Sequence, residues 1–352
     1  MKDIAVMALK PGMELSSDVF DYHNNLIVKS KTKVDAQVIS KLNRHSIMVV
    51  NVMEDVDYAT NYFEKIRFSD GFRQFENVYH KNLNEFKTIM HDFTGLGKTF
   101  RPNDIMQLYD DTIADIRNKE LILDYLYNMM PSEDDLTYAH CFGSGLIAGV
   151  FCTWLGYDEA LTRKAVLCSF LYDIGKLKLP NSLIWKPGKL TPLEFEQMKM
   201  HTVMGFQLLQ NIDDLDDTVL RATLMHHERY DGSGYPSKLH DTQIDEMARL
   251  MAIIDTYDAL TSARIYRASK HAFEVIEIFQ KDHTKYDIAM MSKILSNLAN
   301  HMVGLKVKLN DERIAEVIMI NQLELDRPLL RDANQNFINL SLDRNLKILG
   351  IY

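Results

Sequence analysis

The chain has 352 residues, of which 46% are hydrophobic and 25% are charged, a balance typical of a globular protein with a large core. Its formal net charge of −9 argues against a protein that binds nucleic-acid polymers or anionic membranes over its whole surface. Any anionic ligand must therefore be held by a local group of cationic side chains.

The cysteines and the apolar runs predict a reduced, cytoplasmic protein. Cys141, Cys152 and Cys168 lie in apolar helical sequence and lack the spacing of metal ligands. The longest apolar stretch, from about Gly145 to Gly156, is predicted to be too short to cross a bilayer. The N-terminal residues do not form a signal-peptide core, so we expect no membrane partner.

Residues 1–57 are predicted to form a small β-rich accessory domain. Apolar and polar residues alternate there, and turn-forming residues separate the runs, as in hairpins. A short helix near Asp35–Arg44 and a strand at Ile47–Val52 complete this unit. Residues 58–130 are helical and polar in pattern, which we interpret as a connecting segment.

Residues 131–300 are predicted to form a helical bundle. One of its helices begins after Thr191, where Thr191 and Glu194 give a capping-box pattern with Pro192 at the first helical position. Beyond residue 300, short alternating runs predict a β appendage over residues 301–352. The expected fold is therefore mainly α, with small β units at both ends.

Six polar residues stand at positions where the predicted helices of this bundle are otherwise apolar. A single buried histidine is more often a hydrogen-bonded core residue than a ligand, but a buried carboxylate is costly unless it is paired or coordinated. Several imidazoles and carboxylates together indicate cations, and without thiolate they suit Mn, Fe, Zn, Co or Ni. The six are His140, Asp173, His201, His226, His227 and Asp255.

The densest motif runs from His226 to Pro236, with two adjacent imidazoles, an acid and a turn that ends in Gly-Tyr-Pro. Adjacent histidines on a helix point about 100° apart, so they share one polar centre only at a helix end or around a metal cluster. Gly232 and Gly234 allow positive φ, which would sharpen the turn and let the backbone approach a ligand closely.

These motifs resemble those of the HD-GYP family, a branch of the HD-superfamily metal phosphohydrolases that hydrolyse cyclic di-GMP. The resemblance covers about residues 131–280, and residues 1–55 are similar to a small accessory domain often fused ahead of HD-GYP domains. The matching stretches are Leu171–Lys176, Leu179-Pro180, Lys186–Thr191, His201, His226–Pro236, Asp255–Thr261 and Arg264–Arg267.

The resemblance implies two divalent transition metals, iron or manganese, and assigns ligands to each. The ligands implied for a first metal are His140, Asp173 and Asp255. Those implied for a second metal are His201, His226 and His227, with Asp173 as the bridge. Leu136 stands where a subset of the family carries a glutamate for a third metal, so we expect at most two.

The resemblance also implies residues that act on the substrate. Asp173 and Lys176 match catalytic positions of the family. The positions implied to contact substrate are Lys176, Tyr235, Arg264 and Arg267. Fixed positive groups at these places are physically reasonable, because an acidic protein must hold a doubly charged diester locally.

Tyr172 departs from the family pattern, whose eponymous pair is His-Asp where this chain has Tyr172-Asp173. A protonated phenol is a poor ligand, whereas a phenolate binds strongly Lewis-acidic ions well. Three outcomes are open. Tyr172 ligates as a phenolate, or water completes a weakened first site and turnover is slow, or the first site stays empty and one metal remains.

Three functions follow from these alternatives. The leading interpretation is a metal-dependent phosphodiesterase that opens cyclic di-GMP to the linear dinucleotide or to GMP through a metal-bridging hydroxide. The second is a degenerate module that binds cyclic di-GMP, or a signalling protein through the Gly-Tyr-Pro surface, without turnover. The third and weakest is an HD phosphohydrolase of another nucleotide. No nucleic-acid polymer is expected as a partner, and no oligomeric state is indicated.

Overall fold

The computed structural model describes residues 2–6, 9, 12–21, 25–45, 47–53, 61–129, 135–186, 188–262 and 269–352. The chain divides into two compact units, Met1–Arg73 and Gln74–Tyr352. In the part of the chain that is described, helices predominate and the strands belong to the N-terminal and C-terminal ends. The predicted fold class, mainly α with small β units at both ends, is confirmed.

The first unit is a small β-rich body around an apolar cluster that includes the fully buried Leu15 and Leu42. Its strands are β1 (Lys2–Ala5), β2 (Glu14–Leu15), β3 (Val19–Phe20), β4 (Leu26–Val28) and β5 (Val49–Met53). β5 pairs antiparallel with both β1 and β2, and β3 pairs with β4. The helix α1 (Ala36–Arg44) begins after Asp35, whose carboxylate accepts a hydrogen bond from the Val38 amide at 2.7 Å. The short helix α2 (Tyr62–Arg67) follows.

The second unit contains most of α3 (Asp70–Leu96) and the helices that follow it. They are α4 (Pro102–Ile113), α5 (Leu121–Asn128), α6 (Leu136–Leu155), α7 (Glu159–Leu171), α8 (Asn181–Ile184), α9 (Pro192–Leu209), α10 (Asp217–Met225), α11 (Glu246–Thr261), α12 (Ala272–Lys281) and α13 (Ile288–His301). Short 3-10 helices at Ile174–Lys178, Asp241–Gln243 and His283–Lys285 lie between them.

α6 lies in the core of this unit. A Cβ on Gly145 would come within 2.4 Å of the Phe170 ring, so glycine allows α6 and α7 to pack closely. The helix is longer than the apolar stretch from Gly145 to Gly156 suggested. Its 20 residues and mean hydropathy of 1.3 meet the length and composition needed to cross a bilayer. This corrects the expectation that the apolar run is too short for a membrane span. Because 72% of that apolar window is buried within the protein, this is weak evidence for a span.

The contact between α9 and the 3-10 helix Ile174–Lys178 places two predicted site residues together. α9 begins as predicted, since Thr191 and Glu194 form the reciprocal hydrogen bonds of a capping box. A Cβ on Gly175 would lie 1.9 Å from the carbonyl oxygen of His201 and 2.6 Å from the amide of Gly205. Only a glycine lets the segment after Asp173 approach the backbone of α9 at this point.

The C-terminal strands form one antiparallel sheet in the order β10-β6-β7-β8-β9. The strands are β6 (Lys306–Leu309), β7 (Ile314–Met319), β8 (Leu329–Asp332), β9 (Phe337–Asn339) and β10 (Ile348–Ile351). Ala315 and Val317 are buried while Ile314, Glu316 and Ile318 are partly exposed, the alternation expected of a sheet with one covered face. The predicted β segment after residue 300 is thereby confirmed.

Candidate metal centre

Six side chains from five segments meet in the interior of the second unit. Their potential ligand atoms form two groups, each within 4.8 Å, and Asp173 belongs to both. The first site, as we name it, consists of His140 on α6, Asp173 at the start of the 3-10 helix and Asp255 on α11. The second site consists of Asp173, His201 on α9, and His226 and His227 just beyond α10.

In the second site, two of the three imidazoles are oriented so that Nε2 presents a lone pair. His201 Nδ1 donates a hydrogen bond to the carbonyl oxygen of Met198 at 2.6 Å, and His226 Nδ1 donates to that of Thr223 at 2.9 Å. Burial lowers the pKa of His226, which favours its neutral form. The two Nε2 atoms lie 3.2 Å apart, and they lie 3.2 Å and 3.5 Å from Asp173 Oδ1.

Asp173 Oδ1 tests whether these residues fit a metal ion. The atom is fully buried and no hydrogen-bond donor of the described residues reaches it. Because His201 and His226 both donate from Nδ1 to the backbone, each Nε2 atom carries a lone pair that faces Asp173 Oδ1. Lone pairs that face one another are unfavourable in a low-dielectric interior unless a cation lies among them. Oxygen and imidazole donors of this kind suit a divalent transition metal. The residues therefore fit one.

At the first site, His140 Nε2 lies 3.2 Å from Asp173 Oδ2 and 3.2 Å from Asp255 Oδ1. On the other side of the ring, Nδ1 is hydrogen-bonded to the carboxylate of Asp258. Burial opposes a charge on His140, but the carboxylates of Asp258, Asp173 and Asp255 outweigh it and raise the pKa of this imidazole well above its ordinary value. In the absence of a metal the ring is thus held by carboxylates on both nitrogens.

Asp258 is a site residue to which the sequence interpretation gave no role. It is buried, and its second carboxylate oxygen accepts a hydrogen bond from the Ser262 hydroxyl at 2.8 Å. A carboxylate on the far nitrogen of a ligand imidazole fixes the orientation of the ring and increases its basicity. The available signal was the spacing, because Asp255 and Asp258 are three residues apart and lie on one face of α11.

Tyr172 lies beside the first site and is fully buried. Its hydroxyl lies 2.7 Å from His140 Nε2 and 3.0 Å from the Ser144 hydroxyl. Burial, with the nearby carboxylates of Asp255 and Asp173, raises the pKa of Tyr172 well above its ordinary value. The side chain is therefore held as a neutral phenol next to the nitrogen that His140 would offer to a metal.

Lys176 brings a positive charge to the same place. Its ammonium group forms an ion pair with Asp173, three residues earlier in the chain. Burial alone would raise the pKa of Asp173, but Lys176 and the surrounding histidines lower it well below its usual range. The same ion pair keeps Lys176 charged, since Asp173 raises the pKa of the lysine against the effect of burial.

The Gly-Tyr-Pro loop packs Tyr235 against the second site. The rings of Tyr235 and His227 stack with their centroids 4.7 Å apart. Gly232 has a φ of 79°. Gly234 does not use the positive φ that glycine allows. It is required for space, because a Cβ there would lie 2.4 Å from the Cα of Glu228.

Glu228 stabilises the same loop. Its buried carboxylate accepts hydrogen bonds from the amides of Ser237 at 2.7 Å and Leu239 at 3.1 Å. These bonds tie the end of the Gly-Tyr-Pro turn back to the residue that follows the two histidines. The position of Tyr235 is thus fixed by the loop backbone and by its stacking on His227.

A cavity of about 410 Å³ adjoins both sites. Its polar part is lined by His140, Lys176, His201, His227 and Tyr235. Its apolar part includes Tyr79 and Leu83 of α3 and Leu126 of α5, so the segment interpreted as a connector supplies one wall. Arg264 and Arg267, the other predicted substrate contacts, lie outside the described residues.

A family model for the HD domain matches residues 125–290. This segment is therefore similar to HD domains. The matched range contains all six residues of the first and second sites, together with Tyr172, Lys176 and Tyr235. α3, which lines the cavity with Tyr79 and Leu83, precedes the matched range.

Several curated relatives are similar to this part of the chain. A cyclic di-GMP phosphodiesterase of Pseudomonas aeruginosa is 32% identical over 189 residues, which are 54% of this chain and 46% of the relative. A cyclic di-GMP phosphodiesterase of Thermotoga maritima is 36% identical over 157 residues, 43% of each chain. A 3'3'-cGAMP-specific phosphodiesterase of Vibrio cholerae is 32% identical over 155 residues, 44% of this chain and 36% of the relative. The matches thus span less than half the length of these relatives.

A solved structure has a similar fold. It is an HDG"Y"P protein from Bdellovibrio bacteriovorus, which aligns with a TM-score of 0.54 over 84% of this chain and 99% of that chain. The two sequences are 17% identical, so the likeness concerns the fold alone.

Proposed function

We propose that the protein is a metal-dependent phosphodiesterase that hydrolyses cyclic di-GMP to the linear dinucleotide, to GMP or to both. The HD domain supports metal dependence, and relatives named as cyclic di-GMP phosphodiesterases support the substrate. The observation that carries the proposal is the buried, unpartnered Asp173 Oδ1 among imidazole lone pairs. Relatives named as specific for 3'3'-cGAMP make a second cyclic dinucleotide the natural competing substrate.

Two divalent ions, iron or manganese, would be held by the first and second sites. Asp173 would contribute to both, because Oδ1 faces His201 and His226 while Oδ2 faces His140. A bound pair of such ions supplies Lewis acidity at a phosphoryl group and lowers the pKa of the attacking water. We propose Asp173 as the residue that sets the separation of the two ions.

The cationic and aromatic groups around the cavity would hold the substrate. Lys176 is charged, lines the cavity and is anchored by Asp173, so it can counter the negative charge of a phosphodiester during attack. Tyr235 presents a ring fixed by stacking on His227. We propose Arg264 and Arg267 as additional phosphate contacts, on the basis of their match to cationic positions of HD-GYP proteins.

A module without turnover is the second candidate, and Tyr172 is the observation that favours it. A phenol stands where the family has its histidine ligand, and its hydroxyl is hydrogen-bonded to His140. If the first site stays empty for this reason, one metal would remain at the second site. The protein would then bind cyclic di-GMP, or a signalling protein through the Gly-Tyr-Pro surface, without hydrolysis.

We further propose the organisation of the chain and its location. The four segments are a β-rich domain at 1–57, a helical connector at 58–130, the HD-GYP domain at 131–300 and a β appendage at 301–352. A cytoplasmic location is supported by Cys141, Cys152 and Cys168, which are free and buried, as expected in a reducing compartment.

Hydrolysis assays on the metal-stripped full chain, reloaded with Mn²⁺ or Fe²⁺, test the proposed function. Cyclic di-GMP and 3'3'-cGAMP are supplied separately, and the products are separated by chromatography. We expect turnover of cyclic di-GMP that is abolished by Asp173→Ala. Asp110→Ala is the matched control, since it removes only a partly exposed ion pair with Arg163.

Two results would change the conclusion. The first is that the protein binds cyclic di-GMP but does not hydrolyse it with either Mn²⁺ or Fe²⁺, whereas Tyr172→His does. This result would establish the degenerate module. Turnover of 3'3'-cGAMP alone would retain the phosphodiesterase and correct its substrate.

A further inference from the structure

Tyr172 forms a hydrogen-bonded chain with two residues of α6. Its hydroxyl oxygen lies 2.7 Å from His140 Nε2 and 3.0 Å from Ser144 Oγ. Among the hydrogen bonds of the described residues, these are the partners of the phenol. The carboxylates of Asp173 and Asp255, although close, do not accept from it.

The Tyr172 ring cannot move aside easily. It is fully buried and packs edge-on against His226, with ring centroids 4.7 Å apart. The freedom left to the side chain is rotation of its O–H bond, which can point to His140 or to Ser144. Ser144 is itself fully buried, and Tyr172 is the hydrogen-bond partner that the structure shows for its hydroxyl.

An ion at the first site needs the lone pair of His140 Nε2, the atom that is engaged with Tyr172. Whichever of the two atoms carries the proton, their hydrogen bond must break before the nitrogen can coordinate. Ser144 then provides the alternative acceptor for the phenol. The second site carries no such cost, because the Nδ1 atoms of His201 and His226 donate to backbone carbonyls and leave both Nε2 atoms free.

We propose that Tyr172 is a positioning residue that competes with the metal for His140, so that the two sites fill in order. The second site binds its ion tightly and first, and the first site binds its ion more weakly. The doubly loaded protein therefore forms only when the metal concentration is high enough to displace Tyr172 from His140. This inference rests on the metal centre proposed above, but not on its catalytic activity.

Metal titration of the stripped full chain tests the order of filling. Mn²⁺ is added under equilibrium dialysis, and bound metal is measured by elemental analysis. We expect a tight phase and a weak phase, each of one ion. Asp255→Ala should remove the weak phase alone, which assigns that phase to the first site, because Asp255 belongs to the first site and not to the second.

Substitutions of the chain Ser144–Tyr172–His140 then separate competition from ligation. Tyr172→Phe removes the competing hydroxyl and should tighten the weak phase about three- to tenfold, the effect expected for one net hydrogen bond. Ser144→Ala removes the alternative acceptor and should weaken that phase about threefold. Tyr172→His should tighten it most, by adding a ligand. The control is Tyr109→Phe, which removes another buried phenol, on α4, that belongs to neither site and should leave both phases unchanged.

Three outcomes would overturn the inference. The first is that the wild-type protein binds two ions with equal affinity. The second is that Tyr172→Phe leaves the affinity of the weak phase unchanged. The third is that Tyr172→Phe lowers this affinity, which would make the phenol a ligand. If Tyr172→Phe fails to fold, the Ser144→Ala shift decides the question. If the wild-type protein binds no Mn²⁺ in either phase, the proposed metal centre itself is contradicted. Ordered filling without hydrolysis of cyclic di-GMP would support this inference and contradict only the proposed activity.

Discussion

The surroundings of His140 determine how tightly the first site can bind a metal ion. Its two nitrogens meet different partners: Nδ1 is bound to Asp258, and Nε2 faces Tyr172 and the carboxylates of Asp173 and Asp255. Asp258 is in turn fixed by Ser262. An imidazole that is oriented from behind by an anchored carboxylate loses little freedom when it coordinates an ion.

Replacement of Asp258 should therefore weaken metal binding at the first site alone. We expect Asp258→Ala to lower the Mn²⁺ affinity of the weak phase about 10- to 100-fold, the usual effect of losing a partner of a ligand histidine. Asp258→Asn keeps an acceptor for Nδ1 and should have a smaller effect. Equilibrium dialysis measures both variants, and the tight phase serves as the internal control. An equal loss in both phases would show that Asp258 acts on the fold and not on His140.

At the scale of helices, close backbone contacts place the ligands, and sequence patterns indicate these contacts poorly. The start of α9 was predictable because a capping box is a local signal. The approach of Gly175 to the backbone of His201 and Gly205 depends on two segments distant in the chain, and no local pattern predicts it. For the same reason, the polar helical pattern of α3 does not show that Tyr79 and Leu83 line the cavity.

A cluster around His301 links α5, α6 and α13. His301 Nε2 lies 3.0 Å from the buried carboxylate of Asp124, and Nδ1 lies 3.3 Å from Glu120. Glu120 also accepts a hydrogen bond from the indole of Trp154 at 2.9 Å. Burial lowers the pKa of His301, but Asp124 and Glu120 outweigh it and raise the pKa above the ordinary value of 6.5.

This raised pKa makes the stability of the second unit, Gln74–Tyr352, depend on pH. The folded state binds the His301 proton more tightly than the unfolded state, so its contribution is complete below about pH 6.5 and is lost as pH rises through the folded pKa. His301→Ala should lower the free energy of unfolding by about 1–3 kcal/mol near pH 6 and by less near pH 9. Denaturant unfolding in the presence of chelator measures this difference. The exposed His283→Ala is the control, and an equal loss at both pH values would contradict the prediction.

For the whole molecule, the sequence was sufficient to name the candidate ligands, but not to show which neighbours orient and charge them. The six candidates span His140 to Asp255, and the cost of burying two carboxylates among four imidazoles is by itself enough to indicate cations. The roles of Asp258, Ser144 and Glu228 depend on which atoms face each other after folding. Tyr172 stands out in the sequence as a departure, yet its hydrogen bond to His140 is visible only in three dimensions.

Metal binding should stabilise the second unit, and the tryptophans of this unit make the effect measurable. Both tryptophans of the chain, Trp154 and Trp185, lie in Gln74–Tyr352, as do all six candidate ligands, so thermal unfolding followed by tryptophan fluorescence reports on this unit. An ion that binds only the folded state adds about 2.7 kcal/mol when its concentration is 100 times its Kd. We expect Mn²⁺ to raise the unfolding temperature of the stripped protein and chelator to reverse the shift.

The contrast between variants and ions shows whether this stabilisation comes from the proposed centre. Asp173→Ala removes a ligand of both sites and should abolish the Mn²⁺ shift, whereas Asp110→Ala should retain it. Mg²⁺ prefers an all-oxygen shell and keeps its waters, so it should not replace Mn²⁺ at the second site, where three of the four candidate ligands are imidazoles. An undiminished Mn²⁺ shift in Asp173→Ala would mean that the ion binds elsewhere. A full shift with Mg²⁺ would mean that charge alone, and not imidazole coordination, stabilises the fold.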